Sequence, residues 1–379
     1  MITDEKTLSN QLDLLLGLAR NCFGENNIPT DLIFNQDASA KALLELARFH
    51  KLPNLVLEQY SANPAYSRSY ADQTAQFLAL TAESLRVYQE FQRQKISVAL
   101  LKGTALAHLL YQKPHLRQFS DIDLLIKPHQ FEISCSALEY LGYRPLVILS
   151  PKKLAHELKT QHAITFRHTS LGIELDLHWS LVQTQFAIRF EMEDVFRNLE
   201  TIEVMKAPVE TLGIIDTLLF ISAHSSKSYW LLLRDSLDFM LAQNKLSQES
   251  TNRLIEKAFA SGQEILLAVS VEVARSLLRV EPNPILLQFA TGIPRASSLT
   301  RTLISAFNGE RSLSEWELAK IDFQLKSKLR DKISYTMGRI FTPHEQDWNS
   351  SIPEGLFFLH FLRKPIKTLL RVAKALSRR

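Results

Sequence analysis

Two carboxylates separated by one residue constrain this chain more than any other feature. The segment Ser120-Asp-Ile-Asp-Leu-Leu-Ile126 predicts a strand that carries Asp121 and Asp123 on one face, because side chains at i and i+2 of a strand point the same way. Two carboxylates held together cannot both stay ionised cheaply unless a cation lies between them. Mg²⁺, with phosphates among its other ligands, is the cation that such a pair suits.

A glycine turn precedes the carboxylate pair. The segment Leu101-Lys-Gly-Thr104 runs from a short apolar strand, residues 96–101, into a short predicted helix. The first N–H groups of a helix have no partner inside it and can bind phosphate. Lys102 could contact the same phosphate, or it could be a solvated strand end. The turn and the carboxylates together predict a site for a metal-bound phosphate.

A third carboxylate comes from a later pair of alternating segments. Residues 162–168 and 173–179 both alternate, and Thr169-Ser-Leu-Gly172 joins them in a predicted hairpin. Apolar side chains take one face of the second segment, and Glu174, Asp176 and His178 take the other. Acids on a buried-type strand need a partner, because removing a charge from water is costly. We therefore expect Asp176 to lie beside the earlier pair.

These segments resemble the signatures of a known family. The stretch from Ala99 to Ile126 is similar to the uncharacterised nucleotidyltransferase family of the polymerase-beta superfamily. Glu174-Leu-Asp-Leu-His-Trp179 resembles a second signature of that family. A third signature of the family is similar to the segment that contains His224, Lys227, Trp230, Arg234 and Asp238. The resemblance covers most of residues 75 to 245. It implies a core sheet flanked by helices, which binds a nucleoside triphosphate and two Mg²⁺ ions, or Mn²⁺ in their place.

The resemblance also assigns a role to each candidate residue. Asp121, Asp123 and Asp176 match the carboxylates that bind metal and carry the catalysis, and Asp176 would also take the proton of the acceptor hydroxyl. Gly103 matches the turn that receives the phosphates. Thr104 belongs to the same turn, although the wider superfamily usually has Ser or Gly there. The predicted nucleotide-binding residues are Lys102, Gly103, Thr104 and Arg117.

Several positions leave alternatives open. Arg117 could contact a phosphate or carboxylate, or it could form a structural salt bridge. His178 could orient the acceptor, or it could be a hydrogen-bonded structural histidine. Glu174 would replace Asp176 as the base if the strand register differed. Three residues of the third signature could line the cleft or form a polar network within the helical domain: His224, Lys227 and Asp238. In that signature Ser228 and Asp235 stand where His and Trp are expected.

The implied reaction moves a nucleoside monophosphate from a nucleoside triphosphate to an unidentified hydroxyl acceptor and releases pyrophosphate. The acceptor could be a small molecule, a sugar-related compound or a protein. One alternative is a non-catalytic relative that binds a nucleotide or a partner protein, which three converging acids argue against. A second is a glycosyltransferase that uses Asp-x-Asp to hold a nucleotide-sugar diphosphate. The Lys-Gly-Thr turn and the second signature fit that alternative poorly.

The predicted fold class is α+β. A small mixed sheet at residues 95–208 forms the catalytic core, between an N-terminal helical region, 1–94, and a C-terminal helical domain, 209–379. Only 11 glycines and 14 prolines occur, which suits a helix-rich chain. The two cysteines, Cys22 and Cys135, show no metal-binding spacing and predict reduced thiols in a cytoplasmic protein. The N-terminus lacks the pattern of a signal peptide, and no apolar run approaches the roughly 20 residues that span a bilayer.

Charge bears on the possible partners. The formal net charge is +4, and seven basic residues without an acid lie between Arg363 and Arg379, so the rest of the chain carries about −3. This balance gives no support for nucleic acid as a partner. Residues 364–379 read as a basic amphipathic helix. Weak contact of that helix with an anionic membrane surface is one expectation, and docking against the protein is the other.

Overall fold

The computed structural model of the chain describes residues 5–24 and 37–342, and Phe361. The predicted basic helix at 364–379, with its predicted membrane contact, lies outside the described residues. Within the described ranges no helix is both long enough and apolar enough to cross a membrane.

One mixed sheet of seven strands organises the middle of the chain. The strands are β1 (Val98–Leu100), β2 (Asp121–Ile126), β3 (Tyr143–Pro145), β4 (Ala163–His168), β5 (Glu174–His178), β6 (Leu199–Val204) and β7 (Ala207–Leu212). They lie in the order β3-β4-β5-β2-β1-β7-β6. β2 pairs parallel with β5 and β1 pairs parallel with β7, while the other neighbours are antiparallel. The predicted α+β fold class with a mixed sheet is confirmed.

Helices precede, interrupt and follow the sheet. In the described ranges they are α1 (Glu5–Asn21), α2 (Asp37–Phe49), α3 (Pro53–Gln59), α4 (Pro64–Arg93), α5 (Lys102–Leu110), α6 (Phe131–Tyr140), α7 (Pro151–Thr160), α8 (Met192–Arg197), α9 (Ile214–Lys227), α10 (Leu233–Gln243), α11 (Gln248–Ser261), α12 (Glu264–Leu278), α13 (Pro284–Thr291), α14 (Pro294–Phe307), α15 (Glu315–Gln324) and α16 (Leu329–Phe341). The long helix α4 starts where Asn63 caps it, since the Asn63 side chain accepts the Ala65 N–H at 3.0 Å.

The register between β2 and β5 decides where the acids meet. Asp121 pairs with Glu174 and Asp123 pairs with Asp176 across the two parallel strands. The alternate positions of both strands are apolar and buried, which fixes the register, because a slip of one residue would move the acids into the apolar core. The predicted hairpin is also present, since β4 pairs antiparallel with β5.

The hairpin of β6 and β7 extends the sheet on the other side of β1. Its two-residue turn, Met205 and Lys206, has positive φ angles of 49° and 69°. β7 ends at Leu212, so the sheet runs past residue 208, where the sequence placed the end of the catalytic core.

Two main hydrophobic cores hold the chain together. One lies between the sheet and helices such as α4, and contains Val87, Phe91 and Leu177. The other is helical and combines residues of the N-terminal region, such as Leu43, with residues of α12, such as Leu267. Because this second core is shared, the N-terminal helices α1 to α3 pack with helices that follow the sheet.

Candidate active site

The acids of the two parallel strands form the centre of the candidate site. A carboxylate oxygen of Asp123, one of Asp176 and a ring nitrogen of His178 all lie within 4.8 Å of one another. The predicted partnership of Asp123 and Asp176 therefore exists in the structure. Asp121 lies two residues before Asp123 on the same face but outside this group, where His178 takes its place. The role of all three predicted acids in metal binding and catalysis stays a prediction.

The Asp123 side chain is buried and is contacted by Lys102 and His178. Lys102 Nζ lies 2.6 Å from Asp123 Oδ1, and the Nε2–H of His178 donates to the same oxygen at 2.9 Å. Burial works to raise the pKa of Asp123, but Lys102 and His178 outweigh it and hold the pKa well below its usual range. The carboxylate is therefore ionised, and the Lys102 ammonium is its counter-charge.

The pKa of Asp121 shifts in the opposite direction to that of Asp123. Burial raises the pKa of Asp121, and the negative charge of Asp123 raises it further. Two neighbouring carboxylates whose pKa values separate in this manner are each stabilised in the ionised state by an added cation. Carboxylate oxygens are the ligands that Mg²⁺ and Mn²⁺ prefer, so the donor set fits such an ion.

Asp176 is oriented by the neighbouring strand. The Thr165 hydroxyl donates to Asp176 Oδ1 at 2.6 Å. Glu174, the other acid of β5, is directed to the edge of the site, where it pairs with the exposed Arg167. Asp176 and Glu174 are the two candidates for the general base, and Asp176 is the one that lies beside Asp123.

The glycine turn lies directly against the acid strand. The backbone N–H of Leu101 donates to the carbonyl of Asp123 at 3.0 Å, which fixes the start of α5 beside β2. A Cβ atom on Gly103 would lie 3.1 Å from a ring carbon of Phe119 and 3.4 Å from the carbonyl oxygen of Asp121. Any larger residue would push the turn away from the acids, so the close approach depends on glycine.

The side chain of Thr104 points away from the cleft. Its hydroxyl forms a buried hydrogen bond of 2.9 Å with the Ser84 hydroxyl on α4. The predicted phosphate contact of Thr104 can therefore use its backbone N–H, which belongs to the first turn of α5 and has no helical partner.

Arg117 forms the structural salt bridge that the sequence left as an alternative. Its guanidinium is buried and donates to the Asp238 carboxylate at 2.8 to 3.1 Å. It also donates to the carbonyl of Gly103 at 3.3 Å, and the Tyr111 hydroxyl donates to Asp238 at 2.7 Å. Burial works to lower the pKa of Arg117, but Asp238 holds it above its usual value. This bridge links the glycine turn to α10, and contact of Arg117 with a nucleotide stays a prediction.

A cleft of about 260 Å³ opens above the turn and beside Asp121 and Asp123, and Asp176 is not part of its lining. Its lining comprises Lys51, Lys102, Gly103, Arg117, Gln118, Phe119, Ser120, Asp121, Asp123, His224 and Arg234. Lys51 comes from the loop after α2, and Arg234 from α10, so both helical parts of the chain contribute to the wall. No sequence motif singles out Lys51.

Basic groups of α9 complete the surroundings of the site. His224 is enclosed, and burial together with the charge of Lys102 holds its pKa well below the usual value. Lys227 Nζ lies 3.5 Å from His162 Nε2 and above the Phe186 ring, 5.7 Å from its centre. Burial lowers the pKa of Lys227 to about 8, and Lys102 adds to the effect.

Comparison with known proteins agrees with this arrangement of residues. A family model described as uncharacterised nucleotidyltransferase matches residues 36–279. The chain belongs to the uncharacterised nucleotidyltransferase family. The matched range includes the glycine turn, all three predicted acids and Arg234. No curated protein is similar enough to match the chain.

Solved nucleotidyltransferase structures share a distant similarity. The lincosamide antibiotic adenylyltransferase LnuA, with lincomycin bound, is 17% identical over 43% of this chain and 97% of its own, with a TM-score of 0.31. The antibiotic-resistance factor ANT(2'')-Ia is 15% identical over 48% of this chain and 93% of its own, with a TM-score of 0.33. An antigenic nucleotidyltransferase-like protein from Paracoccidioides brasiliensis is 14% identical over 56% of this chain and 94% of its own, with a TM-score of 0.31.

Proposed function

We propose that this protein transfers a nucleoside monophosphate from a nucleoside triphosphate to a hydroxyl acceptor, with release of pyrophosphate and with Mg²⁺ or Mn²⁺ as cofactor. The observation that carries the proposal is the pairing of Asp123 with Asp176 on two parallel strands, beside the glycine turn that starts α5. The membership of the chain in a nucleotidyltransferase family supports it.

The acids would hold the cation. Asp121, Asp123 and Asp176 are the proposed ligands, and when bound the cation would supply charge stabilisation at the attacking and leaving oxygens of an in-line displacement. Lys102 already neutralises Asp123 at 2.6 Å. An ion bound to Asp123 would take over that role, and the Lys102 ammonium would then be free to contact a phosphate.

The start of α5 would receive the phosphates. The N–H groups of Gly103 and Thr104 lie at the start of this helix, where Gly103 has non-helical φ and ψ angles of 3° and −103°. Free donors and the helix dipole favour an anion at such a position. The salt bridge of Arg117 with Asp238 holds the turn through the Gly103 carbonyl, so the proposed anion site is rigid.

Asp176 is the proposed base. It would accept the proton of the acceptor hydroxyl as the oxygen attacks the α-phosphate. The Thr165 hydroxyl occupies Asp176 Oδ1, which leaves the second carboxylate oxygen for that proton. His178 would act through Asp123, since its Nε2–H donates to that carboxylate and restricts its orientation.

We further propose a cytoplasmic location and an acceptor that is a small molecule, a sugar-related compound or a protein. Both cysteines are free thiols in the structure, and a reducing compartment that contains nucleoside triphosphates suits such a chain.

Calorimetric titration with ATP, GTP, CTP and UTP, with and without Mg²⁺, tests the proposal. Asp123→Asn keeps the side-chain shape but removes a negative charge, so we expect metal-dependent binding to fall by tenfold or more. Asp72→Asn, at an exposed position of α4, is the control and should bind like the wild type. Metal-dependent binding that is equal in the wild type and in Asp123→Asn would contradict the proposal.

The product separates the proposed reaction from its alternatives. Incubation of the protein with α-labelled nucleoside triphosphates and a cell extract should yield pyrophosphate and a labelled acceptor. Binding without any pyrophosphate would indicate a non-catalytic relative, and release of nucleoside diphosphate from a sugar nucleotide would indicate a glycosyltransferase.

A further inference from the structure

We propose that Lys51 and Arg234 bind the two outer phosphates of the nucleotide from opposite sides of the cleft, as a polyphosphate clamp contributed by both helical parts of the chain. The inference rests on the proposed function, and it names residues to which neither the family match nor the carboxylate site assigns a role.

With a cation bound to its acids, the cleft would carry an excess of positive charge, which suits an anion. Four cationic side chains line the cleft, against the two carboxylates Asp121 and Asp123. Lys102 is neutralised by Asp123 at 2.6 Å, and Arg117 is neutralised by Asp238. The charges of Lys51 and Arg234 are opposed by Asp121 and Asp235, and they would become available to a ligand once a cation is bound to Asp121 and Asp123.

Arg234 is mostly buried yet poorly paired. Only 16% of its side chain is exposed, and its contacts to Asp235 Oδ1 are long, at 3.3 and 3.4 Å. The three other N–H donors of the guanidinium have no partner within the described part of the chain. Burial raises the pKa of Asp235, the charge of Arg234 works to lower it, and the charge of Asp238 raises it further. A guanidinium with free donors in a cleft suits bidentate contact with a phosphate.

Lys51 is held in an unusual backbone conformation. Its φ angle is +61°, in the left-handed region, at the position where α2 ends and where glycine is common. The Lys51 N–H donates to the Arg48 carbonyl, and the Leu52 N–H donates to the Ala47 carbonyl at 2.7 Å, which closes the helix end. The Lys51 ammonium has no ion-pair partner in the described ranges. The Lys51 side chain lies in the cleft wall, where its charge is available to a ligand.

The placement of the two residues fits the outer phosphates. The glycine turn starts beside Asp123, and both line the same cleft. We therefore place the α-phosphate beside Asp123, and the outer phosphates farther along the cleft. Lys51 and Arg234 line the same cavity from helical elements that precede and follow the sheet. Helices α2 and α10, which position Lys51 and Arg234, both contribute to the shared helical core. The clamp therefore needs no movement of domains to form.

Calorimetry with inorganic tripolyphosphate, ATP and AMP, each with Mg²⁺, tests the clamp. Lys51→Met and Arg234→Met remove a charge and keep an unbranched side chain. Lys41→Met on α2 and Arg253→Met on α11 are matched controls, because both residues are exposed and outside the cleft. We expect each cleft variant to weaken tripolyphosphate and ATP binding by tenfold or more and AMP binding by less than threefold. The controls should stay within twofold of the wild type.

The result separates this inference from the proposed function. If ATP binds and Asp123→Asn abolishes its metal-dependent binding, while both cleft variants bind ATP and tripolyphosphate like the wild type, the clamp is wrong and the proposed function stands. If tripolyphosphate binding is lost in the cleft variants but no nucleoside triphosphate is hydrolysed or transferred, the clamp stands and the transfer reaction is wrong. A wild type that binds neither ligand overturns both.

A folding defect is distinguished from a loss of the clamp by a conservative variant. Arg234→Lys keeps the charge but not the planar fork, so it should recover part of the tripolyphosphate binding that Arg234→Met loses. Urea denaturation midpoints of all variants should match that of the wild type. Equal losses in Arg234→Lys and Arg234→Met, together with a lowered midpoint in both, would show a structural role and overturn the assignment of Arg234.

Discussion

The buried salt bridge between Arg117 and Asp238 offers the sharpest test of how this site is held. Only 4% of the Arg117 side chain and 3% of the Asp238 side chain are exposed, so water cannot replace either partner. We consider Arg117→Met, Asp238→Asn and the double variant. Asn at 238 keeps an oxygen that can accept the Tyr111 hydroxyl, which donates to Asp238 at 2.7 Å in the wild type.

The magnitude follows from burial. Removing one partner leaves the other charge buried without compensation, which costs about 3–5 kcal/mol of unfolding free energy. The double variant leaves no net buried charge, and its Tyr111 hydrogen bond can persist. We therefore expect the double variant to lose at least about 2 kcal/mol less than the sum of the two single variants.

Urea denaturation followed by circular dichroism and tryptophan fluorescence measures these free energies. Single-variant losses that simply add in the double variant, or that each stay below about 1 kcal/mol, would refute the reasoning. The same proteins test the nucleotide contact that the sequence predicted for Arg117. If the guanidinium acts only through Asp238 and the Gly103 carbonyl, the double variant should keep most of the metal-dependent nucleotide binding.

Three further predictions concern the rest of the chain. Gly213→Ala should lower the unfolding free energy by about 1–3 kcal/mol, because the new Cβ would lie 2.5 Å from the backbone oxygen of Asn198 and the backbone must shift; urea denaturation measures the loss. Lys227→Met should stabilise the protein below pH 8, by roughly 3 kcal/mol at most, and the gain should fade as the pH rises towards 10.5. The sign follows because the folded-state pKa is lowered to about 8, so the unfolded chain binds more protons between those values; a gain that grows with pH would contradict it. Cys22 and Cys135 should react with a thiol reagent at pH 8 far more slowly in the native protein than in urea, because burial raises the pKa of each thiol to about 12; equal rates in the two states would refute this.

The strands that carry the acids could be predicted from the local sequence pattern. The alternation of apolar and acidic residues in β2 and β5 is local, and it predicted both the strands and the face on which Asp123 and Asp176 lie. The requirement for Gly103 could also be anticipated, because a strand that turns directly into a helix needs a residue without a side chain at the close approach. The family resemblance, which rests on the same segments, is confirmed by the family model.

The residues that surround these acids depend on tertiary packing and could not be predicted from the sequence. The β6–β7 hairpin escaped the sequence reasoning because its turn uses Met205 and Lys206 in place of the Asn-Gly or Asp-Gly that marks such turns. The residue that groups with Asp123 and Asp176 is His178 and not Asp121, and this depends on the directions of side chains across paired strands. Arg117 meets Asp238, 121 positions away, and Lys51 reaches the cleft from a helix end. Contacts of this kind follow from how helices pack on the sheet, and no local pattern of residue types records that packing.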